Sequence, residues 1–121
     1  MESVPTPGGP IVTGLVGTGF RLGEQFYPAL LMTHAAVARW SPPPLAELDD
    51  AALEPILGGS PEFILLGTGR ALVRPPVALV RALEARDIGV EPMDSRAAAR
   101  NWGVLRAEGR AIAAALYPLD A

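Results

Sequence analysis

Residues 62–117 show the clearest pattern of apolar and polar positions in the chain. Residues 63–66 are apolar throughout, which is typical of a β-strand covered on both faces, and residues 90–93 and 110–117 predict two further strands. Two segments between them place apolar residues on one helical face: Leu79, Val80 and Leu83 in the first, and Ala98, Trp102 and Leu105 in the second. The predicted order is therefore β-α-β-α-β, with glycines at the turns.

Residues suited to helix ends flank both predicted helices. Pro75 and Pro76 fit the first turn of the first helix, where a backbone N–H has no partner in any case. Asp94 or Ser95 can cap the second helix, and Gly109 is suited to end it.

Residues 11–40 predict short strands joined in hairpins, because glycines interrupt their β-branched and aromatic residues. Residues 35–39 are also compatible with a helix. The prolines at 42–44 require an extended backbone. A short helix is expected near residues 49–57, with Asp49 as its cap and with Pro55 late in it, shortening or kinking it.

This order of elements predicts the fold class α/β, as a three-layer α/β/α sandwich with a mixed β-sheet. The alternation of strands and helices places helices on both sides of the sheet, and the early hairpins add antiparallel pairs. Residues 1–10 have the composition of a flexible N-terminal tail, and residues 11–121 are expected to form a single α/β/α domain.

The composition argues against several classes of protein. The chain has no cysteine, which excludes disulfide frameworks and thiolate zinc sites. Its net charge is −3 and its basic residues form no stripe, so we expect no nucleic acid binding. No apolar run approaches the roughly 20 residues that span a bilayer, and the N-terminus lacks a secretory signal pattern. We expect a cytoplasmic protein without a membrane span, either a monomer or a weak homo-oligomer.

The turn formed by Gly67, Thr68 and Gly69 is the strongest candidate for ligand binding. It follows a strand and precedes a helix, where backbone N–H groups attract anions, and Arg70 and Arg74 lie nearby. A dinucleotide fingerprint requires a third glycine at position 72, which is leucine, and a P-loop requires a lysine, which the chain lacks. The favoured interpretation is a tight structural turn, and the alternative is an anion site.

The other polar residues favour structural roles. His34 is the only histidine, so a metal site would lack further histidine or cysteine ligands. Asp94 is better explained as a helix cap than as a catalytic carboxylate paired with Glu91. The arginines at 96, 100, 106 and 110 predict a solvated face with Glu108 as partner, or alternatively a site for an anion or acidic partner. No catalytic residue, metal or cofactor is expected.

A set of short motifs is specific in combination, although each motif alone is common. They are Gly19-Phe-Arg-Leu-Gly23, Trp40, Ile64-Leu-Leu-Gly-Thr-Gly69, Gly89-Val-Glu-Pro-Met-Asp-Ser95, Ala98-Ala99, Val104-Leu105 and Glu108-Gly-Arg110. Over residues 11–118 the chain resembles the family of mitochondrial complex I (NADH dehydrogenase) assembly factor 3 and related uncharacterised bacterial proteins. The resemblance implies a compact three-layer α/β/α domain with no established enzyme activity or cofactor.

Two functions are open at this point. We favour a non-enzymatic interaction or assembly factor for respiratory or membrane complexes, acting through an unidentified protein partner. Its contact surface is expected around Gly67–Arg74, Trp102 or the last helix, although the tryptophans are expected mainly to pack. The alternative is a small-molecule or anion-binding domain with its site at the Gly67–Gly69 turn, in a cleft at the carboxyl ends of the strands.

Overall fold

The structure, a computed structural model, describes residues 9–121, and its strands form two sheets. The smaller sheet is antiparallel and consists of β1 (Gly14–Val16), β2 (Gly19–Leu22) and β3 (Gln25–Tyr27), in that order. The main sheet has the order β5-β4-β8-β6-β7, formed by β4 (Leu30–Thr33), β5 (Val37–Arg39), β6 (Phe63–Gly67), β7 (Gly89–Met93) and β8 (Ile112–Leu116). β6 runs parallel to both its neighbours, whereas β4 runs antiparallel to both of its own, so the main sheet is mixed.

Helices cover both faces of the main sheet. They are α1 (Glu54–Leu57), α2 (Val77–Glu84) and α3 (Ser95–Ala107), and two short 3-10 turns span Leu45–Glu47 and Ala51–Leu53. α1 and α2 pack into the core on one face, and α3 packs into the core on the other. The predicted three-layer α/β/α sandwich with a mixed sheet is therefore confirmed.

The apolar run in β6 serves both faces, because successive side chains of a strand point in opposite directions. Ile64 and Leu66 lie in the core beneath α1 and α2, and Leu65 lies in the core beneath α3. The alanines of β8 alternate in the same way, so small side chains in the middle of the sheet separate the two cores.

The early hairpins do not extend the main sheet. In β2, Phe20 and Leu22 are buried in the same core as α3, while Arg21 between them is exposed. This alternation gives the small sheet one apolar face, which is buried against the main sheet next to α3 instead of at its edge. Later in the segment 11–40, β4 and β5 do join the main sheet. Residues 37–39 form strand β5 rather than a helix.

The segment 49–57 is divided differently from the prediction. The Asp49 carboxylate does accept a hydrogen bond from the Ala52 N–H (3.0 Å). However, a 3-10 turn ends at Leu53, and Pro55 lies in the first turn of α1 rather than late in the helix. The physical reason is that proline has no N–H to donate and is tolerated where a helix begins.

The predicted tail of residues 1–10 is only partly within the described structure, since residues 1–8 lie outside it. The C=O of Pro10 accepts a hydrogen bond from Trp102 Nε1 (2.6 Å), and the C=O of Gly9 accepts one from Arg106 Nε (3.1 Å). Trp102 and Arg106 of α3 thus donate to the backbone of Pro10 and Gly9, and the flexibility expected of residues 1–10 stays a prediction.

Candidate interaction surface beside the glycine turn

The glycine turn, residues Gly67–Gly69, ends strand β6, and its backbone is hydrogen-bonded within the protein. Three successive N–H groups donate to internal acceptors: Thr68 to the Met93 C=O (2.8 Å), Gly69 to Ser95 Oγ (2.8 Å) and Arg70 to the backbone oxygen of Ala121 (3.1 Å). An anion at this turn would therefore have to bind the side chains of Arg70 and Arg74 instead of the backbone.

Buried Ser95 joins three parts of the fold at this turn. Its Oγ accepts from the Gly69 N–H and donates to the Tyr117 C=O (2.8 Å). Its own N–H donates to the Gly69 C=O (2.8 Å). The sequence offered Ser95 only as an alternative helix cap, but Asp94 is the cap, accepting from the Ala97 N–H (2.8 Å). A serine after a cap is ordinary in sequence, so no local signal reveals this role.

Both glycines are required by the closeness of other atoms. A Cβ on Gly67 would lie 2.8 Å from Ser95 Oγ and 2.9 Å from Leu116 Cδ2. Gly69 has φ +107°, and a Cβ there would lie 2.3 Å from the backbone oxygen of Ala121. The geometry fits the interpretation as a tight structural turn.

The Leu72 loop, residues 70–76, begins where the glycine turn ends and exposes its apolar side chains. Leu72 is 63% exposed and Val73 is 47% exposed, and Val77 at the start of α2 is 59% exposed. Beneath them, the buried Thr68 hydroxyl donates to the Ala71 C=O (2.6 Å) and accepts from the Val73 N–H (3.0 Å). The loop is thus held from below while its apolar side chains face outward.

A cleft of about 590 Å³ lies between this loop, α2 and β7. We call it the α2–β7 cleft, and it is lined by Leu72, Arg74, Pro75, Val77, Val80, Val90 and Pro92. Among the described residues of this lining, Arg74 supplies the only charge. It makes no ion pair or hydrogen bond with another residue in the range 9–121.

In the part of the chain that the structure describes, β7 is an edge strand, and its unpaired side borders the cleft. The Gly89 N–H donates to the C=O of Glu62, just before β6 (2.9 Å), and the Met93 C=O accepts from the Thr68 N–H, just after β6 (2.8 Å). Because alternate residues of a strand bond in opposite directions, Val90 and Pro92 direct their backbone groups to the free edge. Proline is tolerated at such a position, since the N–H it lacks would face outward.

Trp102 is fully buried, so the partner contact predicted for it does not hold. It lies on the face of α3 that packs against the main sheet, and its ring N–H donates a hydrogen bond to the Pro10 C=O. Trp40 also packs, with its ring edge-on to that of Tyr117 (centroids 5.2 Å apart, 77° between planes). Both tryptophans therefore follow the packing interpretation.

The arginines of the last third do not pair as predicted. Arg110 forms an ion pair with Glu62 (3.0 Å) rather than with Glu108. The chain brings Arg110, just before β8, next to the start of β6, and this neighbour is not visible from sequence spacing. Arg96 and Arg100 are exposed and line a separate cleft of about 300 Å³ against β1.

Tyr117 has a structural hydrogen bond at the end of β8. Its hydroxyl donates to the Pro43 C=O (2.7 Å), which holds the extended proline segment against the core. Burial raises the pKa of the Tyr117 phenol to about 12. The phenol is therefore protonated at neutral pH, in the form that can donate this bond.

The sequence also raised the questions of a metal site at His34 and of a membrane span. His34 is exposed, and no three His, Cys, Asp or Glu residues within 9–121 come together as ligands for a metal ion. In the same range, no helix is both long enough and apolar enough to cross a bilayer.

The comparison with known proteins decides the family. Residues 12–117 match the family described as "Protein of unknown function (DUF498/DUF598)". The chain belongs to this family. An uncharacterised protein of Rhodobacter capsulatus is 35% identical over 100 residues, which cover 83% of this chain and 77% of that protein.

Solved structures of similar proteins share the fold of this DUF498/DUF598 member. The crystal structure of a Bordetella parapertussis protein has a TM-score of 0.82 at 32% identity, covering 90% of this chain and 95% of that one. A Bordetella pertussis protein described as a Mth938-like domain has a TM-score of 0.82 at 26% identity, covering 99% and 92%. The resemblance is confirmed for a family of uncharacterised proteins, and its narrower link to complex I assembly stays a prediction.

Proposed function

We propose that this protein is a non-enzymatic interaction domain, and that it contacts its partner through the Leu72 loop and the α2–β7 cleft. The observation that favours this function is that three apolar side chains of one segment, Leu72, Val73 and Val77, are each 47–63% exposed, and that Leu72 and Val77 line the same cleft. Apolar side chains grouped on a surface are typical of binding sites for other molecules. The loop that presents them is held by the buried Thr68, so little ordering is needed on binding.

The polar groups next to this surface support a binding role over catalysis. Ser95 Oγ and Thr68 Oγ1 are both engaged with backbone groups of the fold. The Tyr117 phenol donates to Pro43, and its raised pKa disfavours the ionised form that a general base would need. We therefore propose that these residues stabilise the surface and take no part in a reaction.

The finer proposal is that the partner belongs to a respiratory complex, and that the protein acts in the cytoplasm as an assembly factor. The support for it is the set of motifs that resembles the family of complex I assembly factor 3. Five of these motifs lie in β6, β7, α3 and the turn before β8. The β6 motif ends in the glycine turn from which the Leu72 loop begins, and the β7 motif borders the α2–β7 cleft.

The test is complementation in the native cell. The gene is deleted and replaced by the wild type, by Leu72→Ser/Val73→Ser/Val77→Ser, or by the matched control Leu15→Ser/Val16→Ser/Val104→Ser. The control removes the same residue types from exposed positions elsewhere, which are 39%, 39% and 55% exposed. Assembled NADH dehydrogenase is then measured on native gels.

We expect the assembled complex to decrease on deletion, and to recover with the wild type and the control but not with the loop variant. Normal assembly in the deleted strain would refute the respiratory assignment. Full recovery with the loop variant would refute the proposed contact surface.

A second candidate is a small-molecule or anion site, and the position of Arg74 favours it. The α2–β7 cleft, at about 590 Å³, is within the size range of ligand pockets, and Arg74 places a single positive charge in its apolar lining. Melting temperatures with orthophosphate and with a nucleoside triphosphate, at constant ionic strength, test this candidate. A saturable increase that Arg74→Ala removes would favour it over the interaction domain.

A further inference from the structure

We infer that the α2–β7 cleft binds an extended, apolar segment of the partner that carries an acidic side chain for Arg74. This inference rests on the proposed function and names the chemistry of the segment that the surface recognises. Three observations support it: the unpaired charge of Arg74, the apolar lining of the cleft, and the free backbone groups of the neighbouring β7 edge.

The charge of Arg74 is not matched within the described chain. Elsewhere, Arg86 is paired with Glu54 (3.3 Å) and Arg110 with Glu62 (3.0 Å). Arg74 has no such pair, although it lines a cleft whose other walls are apolar. A carboxylate brought there by a partner would form a charge-assisted hydrogen bond in surroundings that hold less water than an open surface.

The apolar lining requires aliphatic side chains beside that carboxylate. Val77, Val80 and Val90 contribute branched side chains from α2 and β7, and prolines complete the wall. A strongly charged segment would lose hydration against these residues without compensation. A segment with alternating apolar side chains would bury them here and direct its remaining residues to solvent.

The free edge of β7 favours an extended backbone over a helix. Val90 directs one N–H and one C=O toward this edge, and Pro92 directs a C=O but has no N–H. A partner strand can exchange two hydrogen bonds with Val90 and donate one to Pro92. The proline then prevents a longer ladder, so the added strand is short.

A second copy of this chain does not fit the same surface well. In a two-fold dimer the same patch forms both sides of the interface, and the lining of the cleft offers no acidic side chain to pair with Arg74 of the other copy. Pro92 would also leave the paired edges short of donors. Charge and backbone chemistry therefore point to a different protein as the occupant.

The experiment selects short random peptides displayed on phage against the full-length protein. Three baits are compared: wild type, Arg74→Glu and the control Arg96→Glu, which reverses an exposed arginine on α3. We expect the wild type and the control to enrich apolar peptides that contain Asp or Glu. We expect Arg74→Glu to enrich apolar peptides that contain Lys or Arg instead.

Two measurements on a selected synthetic peptide complete the test. Its affinity, from fluorescence anisotropy, should fall about tenfold with Arg74→Ala and remain unchanged with Arg96→Ala. Amide exchange measured by NMR should slow at Val90 when the peptide is saturating. The amide of Glu91 faces β6 and should not change.

Several outcomes would overturn the inference. The wild type could select no peptides, or peptides without acidic residues. The Arg74→Glu bait could select the same peptides as the wild type, or the amide exchange of Val90 could stay unchanged when the peptide is saturating. Binding of phosphatidylglycerol vesicles that Arg74→Glu abolishes, without peptide selection, would assign the surface to lipid.

If the loop variant fails in complementation but selection is independent of charge, the proposed function stands and only this inference falls. Recovery of assembly by the loop variant would refute the proposed contact surface, and with it this inference.

Discussion

The glycine turn and the Leu72 loop are neighbours in sequence but differ in how their groups are used. In the turn, the N–H groups of Thr68 and Gly69 bond inside the protein, and both residues are buried. In the loop, Leu72 and Val73 are exposed, and Arg74 is without a partner in the described chain. The part that resembles a ligand-binding motif is therefore structural, and the part without a motif has groups available for contact.

A glycine-rich turn can therefore support a site without forming it. Ser95, Thr68 and the backbone oxygen of Ala121 determine where the loop starts. Substitutions in the turn should therefore alter stability, whereas substitutions in the loop should alter binding. Four predictions test this separation, in order of decreasing effect on the free energy of unfolding.

Gly69→Ala should be the most damaging change. The new Cβ would need a φ of +107° and would lie 2.3 Å from the Ala121 backbone oxygen. Strain and overpacking together should lower the free energy of unfolding by about 3 kcal/mol or more, measured by urea denaturation. The control is Gly109→Ala, with φ +73° and no atom within 4 Å of the new Cβ, which should cost about 1 kcal/mol. Equal losses would mean that close approach at Gly69 is unimportant.

Ser95→Ala should lower the free energy of unfolding by about 2 kcal/mol. The substitution leaves the Gly69 N–H without its acceptor and the Tyr117 C=O without its donor, in a buried position. The same denaturation experiment on Ser41→Ala provides the control, because Ser41 is exposed and the change should stay within about 0.5 kcal/mol. A loss for Ser95→Ala as small as that of the control would show that the turn does not depend on this hydroxyl.

Tyr117→Phe should cost about 1 kcal/mol at neutral pH, through loss of the hydrogen bond to Pro43. The folded protein raises the pKa of this phenol from its ordinary value of 10.0 to about 12, because burial disfavours the charged form. The folded state thus keeps the Tyr117 proton to a higher pH than the unfolded state does. The stabilisation that the protonated phenol provides is therefore complete below pH 10 and is lost as the pH rises toward 12.

The free energy of unfolding, measured from pH 8 to 12, should therefore fall more steeply above pH 10 in the wild type than in Tyr117→Phe. Tyr27 is present in both proteins and cancels from the comparison. Parallel curves would contradict the raised pKa.

Leu72→Ser/Val73→Ser/Val77→Ser should have the smallest effect on stability. These side chains are largely exposed in the folded state, so each single change should stay within about 0.5 kcal/mol in either direction, and the three together should cost less than Tyr117→Phe. The same variant should lose complementation and peptide binding. A large loss of stability instead would show that the loop belongs to the core, and would remove the contrast with the turn.

Local features of the fold could be predicted because they depend on neighbouring residues. The apolar run in β6, the prolines before α2, the Asp94 cap and Gly109 after α3 each indicate an element boundary through their own chemistry. The sequence also indicated the region of the candidate site, residues 67–74. It placed the chemistry on the glycines, however, because a motif shows potential N–H donors and does not show whether they are already bonded.

The remaining features depend on contacts between residues far apart in the chain. The separate small sheet, the burial of Trp102, the pairing of Arg110 with Glu62 and the three bonds of Ser95 all join distant segments.

Local periodicity and end signals were enough to predict the strands and helices of residues 62–117 and a resemblance to a family of uncharacterised proteins, because each of these signals depends on neighbouring residues. Contacts between distant segments were needed to show that the N–H groups of the glycine turn are already hydrogen-bonded, and that Leu72, Val77 and Arg74 remain available. The physical reason is that exposure and hydrogen-bond partners are set by what packs nearby, and here the packing comes from Met93, Ser95 and the segment after β8.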